Sequence, residues 1–275
     1  MQLGLGLLAG AAIAFLAYRA HALSLSGALA AAALGTVIFG LGGLPWAVLL
    51  LAFFITSSAL SRLFARRKNP LNEKFSKGSR RDAGQVLANG GMAGLLVLID
   101  VLLAWLRPDL NLRLALWLAF AASLAAANAD TWATELGVLS RSAPVLISTG
   151  RKVEPGTSGG VSLWGTLAAF SGAALIALLA LLMNGWTAVI SPLQALIIAL
   201  GGLLGSLFDS LLGATVQAIY TCPTCRKETE RHPLHTCGTP TLPLRGLPWL
   251  DNDWVNIGCT LVGAAFALLL AFLGV

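Results

Sequence analysis

The sequence predicts an all-α fold, a polytopic transmembrane helical bundle, on three observations. The chain is 57% hydrophobic and 11% charged, its mean hydropathy is +0.80, and its charges fall between long apolar runs. A bilayer core takes about 20 apolar residues as a helix, and a 275-residue chain of this composition holds several such runs. An outer-membrane barrel would instead alternate apolar and polar residues along short strands. No soluble domain of ordinary size is left over, so residues 1–275 are expected to form a single integral membrane domain.

In order, the expected spans are 2–18, 24–42, 44–64, 84–106, 112–138, 159–183, 189–220 and 254–275. The first lacks a basic leader and is followed by Arg19, which reads as a retained helix. Between the second and third stands Gly42-Gly43-Leu44-Pro45. A tight turn there gives eight spans, and a break within a re-entrant pair gives seven. Charge favours the turn. With eight spans, every Lys and Arg except Arg107 and Arg113 falls on one side. The positive-inside rule then puts both termini outside and the basic loops in the cytoplasm. The net charge of +6 is accounted for by topology and anionic lipid, with no call for nucleic acid. The expected setting is a prokaryotic cell membrane, or a thylakoid in a photosynthetic cell, and a homo-oligomer is compatible with the sequence.

Three loops carry the chemistry. The first, 65–83, reads ARRKNPLNEKFSKGSRRDA. Arg66, Arg67 and Lys68 suit interfacial anchors, whereas Lys77, Ser79, Arg80 and Arg81 run up to a helix start, an arrangement that suits phosphate. Asp82 can cap that helix or orient an arginine. Gln85 and Asn89 lie four apart on its first turns, where they can bond a neighbouring helix or a ligand.

The second loop, 139–160, is Gly-rich and carries Arg141, Arg151, Lys152 and Glu154 before Pro155-Gly156-Thr157-Ser158-Gly159-Gly160. Glycines admit close backbone approach and a helix N-terminus offers N–H groups, so the run is expected to cradle phosphate, although it is not a Walker A loop. The third loop, 221–253, holds Cys222, Cys225, His232, His235 and Cys237. In a reducing compartment this spacing reads as a structural Zn²⁺ knuckle with His232 or His235 as the fourth ligand, and free thiols or an oxidised dithiol are the alternatives. Cys259, inside the last span, suits the core.

Depth sorts the acids. At about 1.5 Å per residue, Asp100 lies about 24 Å from the start of its helix, at the far surface. Asp130 and Asp209 lie about 27 and 26 Å along helices that run the other way, which brings both to the basic side. Asp251 and Asp253 precede the last span there. Asp130 and Glu135 are five apart, about 140° around a helix, and are expected to form two walls of a crevice rather than one face. Gly202, Gly205, Ser206, Asp209 and Gly213 make a small-residue face carrying one carboxylate. Acids at membrane depth are functional by default.

The motifs KGSRRDAGQVLANGG, ADTWATELGVLS, PGTSGGVSLWGT, GSLFDSLLGATVQ and NDWVN, in that order, resemble the membrane family that includes plant phytyl-phosphate kinase and eukaryotic transmembrane protein 19. The segment from Asp130 to Gly160 is more loosely similar to CTP-dependent polyprenol kinases, including dolichol kinase and phytol kinase. The first resemblance implies phosphorylation of an isoprenoid monophosphate to the diphosphate by a nucleoside triphosphate, CTP being favoured. Phosphoryl transfer relies on positioning and charge neutralisation. Asp130, Glu135, Asp209 and Asp253 are accordingly expected to hold Mg²⁺, with Asp130, Glu135 and Asp209 as the catalytic acids. Lys77, Arg80, Arg81, Gln85, Asn89 and Lys152 are expected on the phosphates, and Gly156, Thr157, Ser158, Gly159 and Gly160 on the donor. A phosphate acceptor needs no general base, whereas a prenyl alcohol would want one. A transporter or flippase of an anionic lipid, and a non-catalytic assembly protein organised by the metal knuckle, are the other classes the composition allows.

Overall fold

The computed structural model describes residues 2–64, 73–78, 80–106, 109–140, 142–184 and 189–274. The expectations for Arg66, Arg67, Lys68, Ser79, Arg107 and Arg141 lie outside them. Among the described residues, eight helices are long and apolar enough to cross a membrane. They are α1 (Gln2–Arg19), α2 (Leu25–Val37, continued by a π turn over Ile38–Gly42), α3 (Leu44–Leu63) and α4 (Ala83–Leu106), then α5 (Leu110–Gly137), α6 (Leu163–Leu182), α7 (Pro192–Thr215) and α8 (Asn252–Phe272). Gly43, at φ 92°, turns the chain between α2 and α3, as the eight-span reading expects.

Caps explain where helices begin. Ser24, Ser162 and Ser191 each accept a backbone N–H from the first turn that follows, and Ser191 with Gln194 forms a reciprocal capping box. Asp109 and Asp251 do the same for α5 and α8. Several expected boundaries move. The sixth span starts at Leu163 rather than 159, because Ser162 caps it and Gly160–Val161 is extended. The seventh ends at Thr215 rather than 220, and the eighth starts at Asn252.

Helix α5 is the centre. Of its most apolar 18-residue window 72% is buried, against 17% for those of α1 and α2, and it packs on α3, α4, α6, α7 and α8. Its alanines from Ala119 to Ala129 let those neighbours approach. Trp117 and Phe120 lie 5.7 Å apart and pack on Trp46 of α3, at 5.0 and 4.5 Å. Asn128, fully buried, is satisfied: Oδ1 accepts from Thr56 and Ser57, and Nδ2 donates to the Gly172 carbonyl at 2.8 Å. Asp100 makes a two-pronged pair with Arg113, both contacts at 3.0 Å, so its role is structural.

The described residues of the connections at 20–24, 73–82, 142–162 and 216–251 gather at one end of the bundle, where hydrogen bonds run between them. Strands β1 (Val145–Leu146) and β2 (Gly160–Val161) pair antiparallel. In the Cys/His segment, β3 (Ile219–Cys222), β4 (Lys227–Thr229) and β5 (Leu242–Arg245) form a ribbon in the order β4-β3-β5. The first connection is tied to the basic loop because Ser24 N–H donates to the Arg81 carbonyl and Arg81 N–H to Ala22. Gly27 permits this: a Cβ there would stand 2.1 Å from that carbonyl oxygen.

Candidate functional site

A polar cleft of about 480 Å³ opens at the end where the connections gather. The C-terminal ends of α5 and α7 and the first turns of α4, α6 and α8 line it, together with the basic loop, the Gly-rich corner and the ribbon. Among the described residues, its charged lining is four carboxylates, Asp130, Glu135, Asp209 and Glu230, against two cations, Lys77 and Arg81. Such a cleft repels a bare polyanion and attracts a cation, so a phosphate ligand would enter it with a metal ion.

The acids divide. Glu135, 5% exposed, accepts from Ser61 at 2.8 Å and stands within electrostatic reach of Arg81. Asp209 faces Asp130 and Glu230, and its Oδ2 is buried without a hydrogen-bond partner among the described residues. The two-walled crevice expected for Asp130 and Glu135 is therefore what the bundle builds: both line the cleft, Glu135 is engaged from α3 and the basic loop, and Asp130 opposes α7. Asp253 is placed differently from expectation. It is off the lining, and its Oδ2 accepts from Lys77 at 2.5 Å, because α8 begins beside the basic loop. Among the described residues, no three acids gather as a metal-binding group, so the four-carboxylate Mg²⁺ set does not form as one cluster. The orphan Asp209 oxygen beside Asp130 fits a hard cation completed by water.

The cations also divide. Lys77 bridges Asp253 and Asp82, the latter at 3.0 Å. Burial draws its pKa down, but these two carboxylates outweigh burial and the net displacement is upward. Asp82 caps α4 by accepting from Gln85 N–H at 3.0 Å. Burial would raise its carboxyl, yet the Gln85 N–H and Lys77 bring it below the usual range. Arg81 lines the cleft 5.5 Å from the Phe53 ring centre. Its burial lowers it to about 10, opposed by Glu135, which leaves it cationic at neutral pH. Arg80 and Lys152 are outside the cleft. Successive side chains on the extended approach to α4 point apart, so Arg80 reaches back over Tyr18, 5.9 Å from its ring, and toward the Leu23 carbonyl. Lys152 is exposed on a hairpin, bridged through its backbone to Val145. Gln85 and Asn89 line the cleft, with Asn89 donating to the Gln85 carbonyl within its own helix.

The Gly-rich corner is a docked turn rather than a helix N-terminus. Thr157 N–H bonds Glu154 and Gly160 N–H bonds Thr157, so neither is left for a phosphate. Gly159 sits at φ 82°, and a Cβ there would lie 2.3 Å from Ala214 N, so glycine lets the corner press on the end of α7. Ser158 donates to Glu230 at 2.6 Å, and Gln217 donates to the same oxygen at 3.0 Å. Neither Glu230 nor Gln217 was among the expected site residues. No local signal marks Glu230: within β4 Lys227 and Glu228 are exposed and Thr229 is buried, and the residue that follows is brought to the cleft by where the ribbon docks.

In the ribbon, Cys222, Cys225, His235 and Cys237 bring their ligand atoms within 4.8 Å of one another. His232 is excluded from the group: it stacks on Tyr220, ring centres 4.5 Å apart. Beside the polar cleft, an apolar groove of about 850 Å³ runs between α5 and α6, lined by Trp132, Leu136, Trp164 and Leu167. Ser142 lines both.

Residues 8–264 match the profile of integral membrane protein DUF92. Protein PGR of Arabidopsis thaliana is 37% identical over 257 residues, covering 89% of this chain and 87% of its own length. An uncharacterized membrane protein of Methanocaldococcus jannaschii is 30% identical over 258 residues, covering 94% and 90%. Protein VTE6, chloroplastic, of Arabidopsis thaliana is 24% identical over 248 residues, covering 90% of this chain and 65% of its own. No solved structure matches.

Proposed function

The chain belongs to the DUF92 family of integral membrane proteins, and from that membership we propose that it is a phosphotransferase converting an isoprenoid monophosphate, phytyl or another prenyl phosphate, to the diphosphate with CTP. The observation that carries this reading is the junction of two unlike cavities at Ser142, a carboxylate-rich cleft and an apolar groove between α5 and α6. A ligand with an anionic head and a hydrocarbon tail fits that junction. The motif resemblance to the family of phytyl-phosphate kinase supplies the reaction class.

Asp130 and Asp209 hold magnesium, which when bound offsets charge on the phosphates. Arg81, steered by Glu135, and Lys77, held by Asp82 and Asp253, face the phosphate oxygens that the acids would otherwise repel. Gln85 and Asn89 bond the acceptor head, and the corner from Gly156 to Gly160 borders the donor. The acceptor phosphate is itself the anionic nucleophile, so no protein group need remove a proton from it. Arg80 and Lys152 have no part in this arrangement. The cleft faces the cytoplasm, the side on which the basic loops fall.

The test is purified protein in detergent with Mg²⁺, CTP and phytyl or geranylgeranyl phosphate. Diphosphate and CDP should form, and Asp130→Asn should abolish both. If neither prenyl phosphate yields diphosphate and Asp130→Asn binds CTP unchanged, the proposal is wrong. Product from free phytol would move the reading to an alcohol kinase, and a transporter would release no CDP.

A further inference from the structure

We propose that Cys222, Cys225, His235 and Cys237 form a Cys₃His zinc site that braces the ribbon against the basic loop and sets the position of Glu230 in the cleft wall. The geometry is that of one tetrahedral ion. Zn–S near 2.3 Å and Zn–N near 2.0 Å imply ligand-to-ligand edges of about 3.5–3.8 Å. Cys222 Sγ and Cys237 Sγ are 3.5 Å apart, His235 Nδ1 is 3.2 Å from Cys237 Sγ, and all four ligand atoms lie within 4.8 Å. That spread admits a single ion.

The backbone is shaped for the same purpose. Cys222-Pro-Thr-Cys225 closes the β3–β4 turn with Cys225 N–H donating to Cys222 Sγ at 3.4 Å, which leaves the sulfur partly compensated as a thiolate. Arg226, next in the chain, stands at φ 55°, where a residue with a side chain is strained. Its N–H bonds the Cys222 carbonyl at 2.8 Å, so the strain serves to curl the turn around the sulfurs. From the other side, His235 N–H bonds Thr239 and Gly238 N–H bonds His235, which aims His235 and Cys237 at the same point. His235 is 3% exposed, and its Nδ1, the nitrogen facing Cys237 Sγ at 3.2 Å, is the one an ion would take. Sulfur and imidazole in a tetrahedron select zinc over magnesium or calcium.

The placement says what the ion does. Between Cys225 and His235 run β4 and Glu230, so metal closes the loop that carries the cleft acid. β4 also grips the basic loop. Glu230 N–H bonds the Lys74 carbonyl at 2.8 Å, Thr229 bonds the Glu73 carbonyl, and Lys227 pairs with Glu73. Removing the ion should loosen Glu230 and the segment leading to Lys77 together.

The metal measurement does not depend on the reading of the cleft. Full-length protein, purified reduced in detergent without chelator, should carry about one zinc per chain by mass spectrometry. Cobalt exchange should give the visible bands of a tetrahedral thiolate complex. His232→Ala and Cys259→Ala should keep the metal, and Cys225→Ser and His235→Ala should lose it. Chelation should raise amide exchange over residues 73–77 and 227–230 in the wild type. Zinc-reconstituted protein that is metal-free with all thiols titratable, or that has lost two thiols to a disulfide, would overturn the site, as would one zinc retained by Cys225→Ser. Metal loss with unchanged exchange would overturn the brace. The wild-type metal content and cobalt spectrum decide the site even if a variant fails to fold.

Discussion

Asp209→Asn should make the protein more stable and less able to bind metal. The substitution keeps shape and removes one negative charge from a buried position that faces Asp130 and Glu230. In the wild type, Oδ2 lacks a partner among the described residues, and an unsatisfied buried acceptor costs about 1–3 kcal/mol, more for a charged one. Asparagine sets an amide donor beside those two carboxylates in place of the orphan acceptor, so without divalent cations the variant should gain roughly that amount, a rise of several degrees in melting temperature at about 2–4 °C per kcal/mol. Adding Mg²⁺ should reverse the order. A ligand at 100 times its Kd stabilises the protein that binds it by about 2.7 kcal/mol, which wild type should gain and Asp209→Asn should not. The eight tryptophans give the readout, intrinsic fluorescence in detergent across a Mg²⁺ titration. Two results would refute the reasoning: a variant less stable than wild type without Mg²⁺, or one whose melting point rises with Mg²⁺ as the wild type's does.

Two further outcomes follow from the same geometry. Gly159→Ala combines a left-handed backbone with a Cβ 2.3 Å from Ala214 N, so it should cost about 2–4 kcal/mol in thermal unfolding. Gly150→Ala, at φ 68° with open space around it, should cost only about 1–2 kcal/mol. The Lys77–Asp82 contact gives a pH test. Asp82 is displaced below its ordinary 3.8, so its contribution is complete above that value and lost as pH falls through the folded pKa. Lys77 is displaced above 10.5, so its contribution is complete below that value and lost as pH rises through the folded pKa. Docking of the basic loop, followed by amide exchange, should hold across the neutral range and weaken only at those extremes. Lys77→Met should remove the alkaline limb and shrink the acid limb, which the Gln85 N–H would still sustain, and a transition near neutrality would contradict the assignment.

Most of the fold could be read directly, because span lengths are set by a bilayer and the apolar runs are separated by charge. The depth of an acid along a helix is likewise simple arithmetic, which is why Asp130 and Asp209 were expected at the basic end and Asp100 was not. What escaped depends on backbone direction outside the helices. Arg80 and Arg81 are adjacent, yet one packs on Tyr18 and the other lines the cleft. The run from Gly156 to Gly160 reads as a helix start until Ser162 is seen to cap α6. Glu230 reaches the cleft only because a three-stranded ribbon folds over it, and no local signal states where a ribbon will dock. The choice of His235 over His232 turned on the Tyr220 ring, whose position the ribbon also sets.

The central position of α5 bears on motion. Rocking one half of the bundle against the other would shear a helix enclosed by five neighbours, several of them seated where a single added methyl group would collide. At Gly202 a Cβ would come within 2.9 Å of α5, and at Gly263 it would lie 2.8 Å from the Ala122 carbonyl. Interfaces this close do not slide gradually. The displaceable parts are those held by side-chain contacts at the rim, Ser158 to Glu230, Lys74 to Glu154 and Lys227 to Glu73. On the proposed reading, ligand exchange would lift the cap from a stationary post, and its rate should follow the strength of those rim contacts rather than the fluidity of the surrounding lipid.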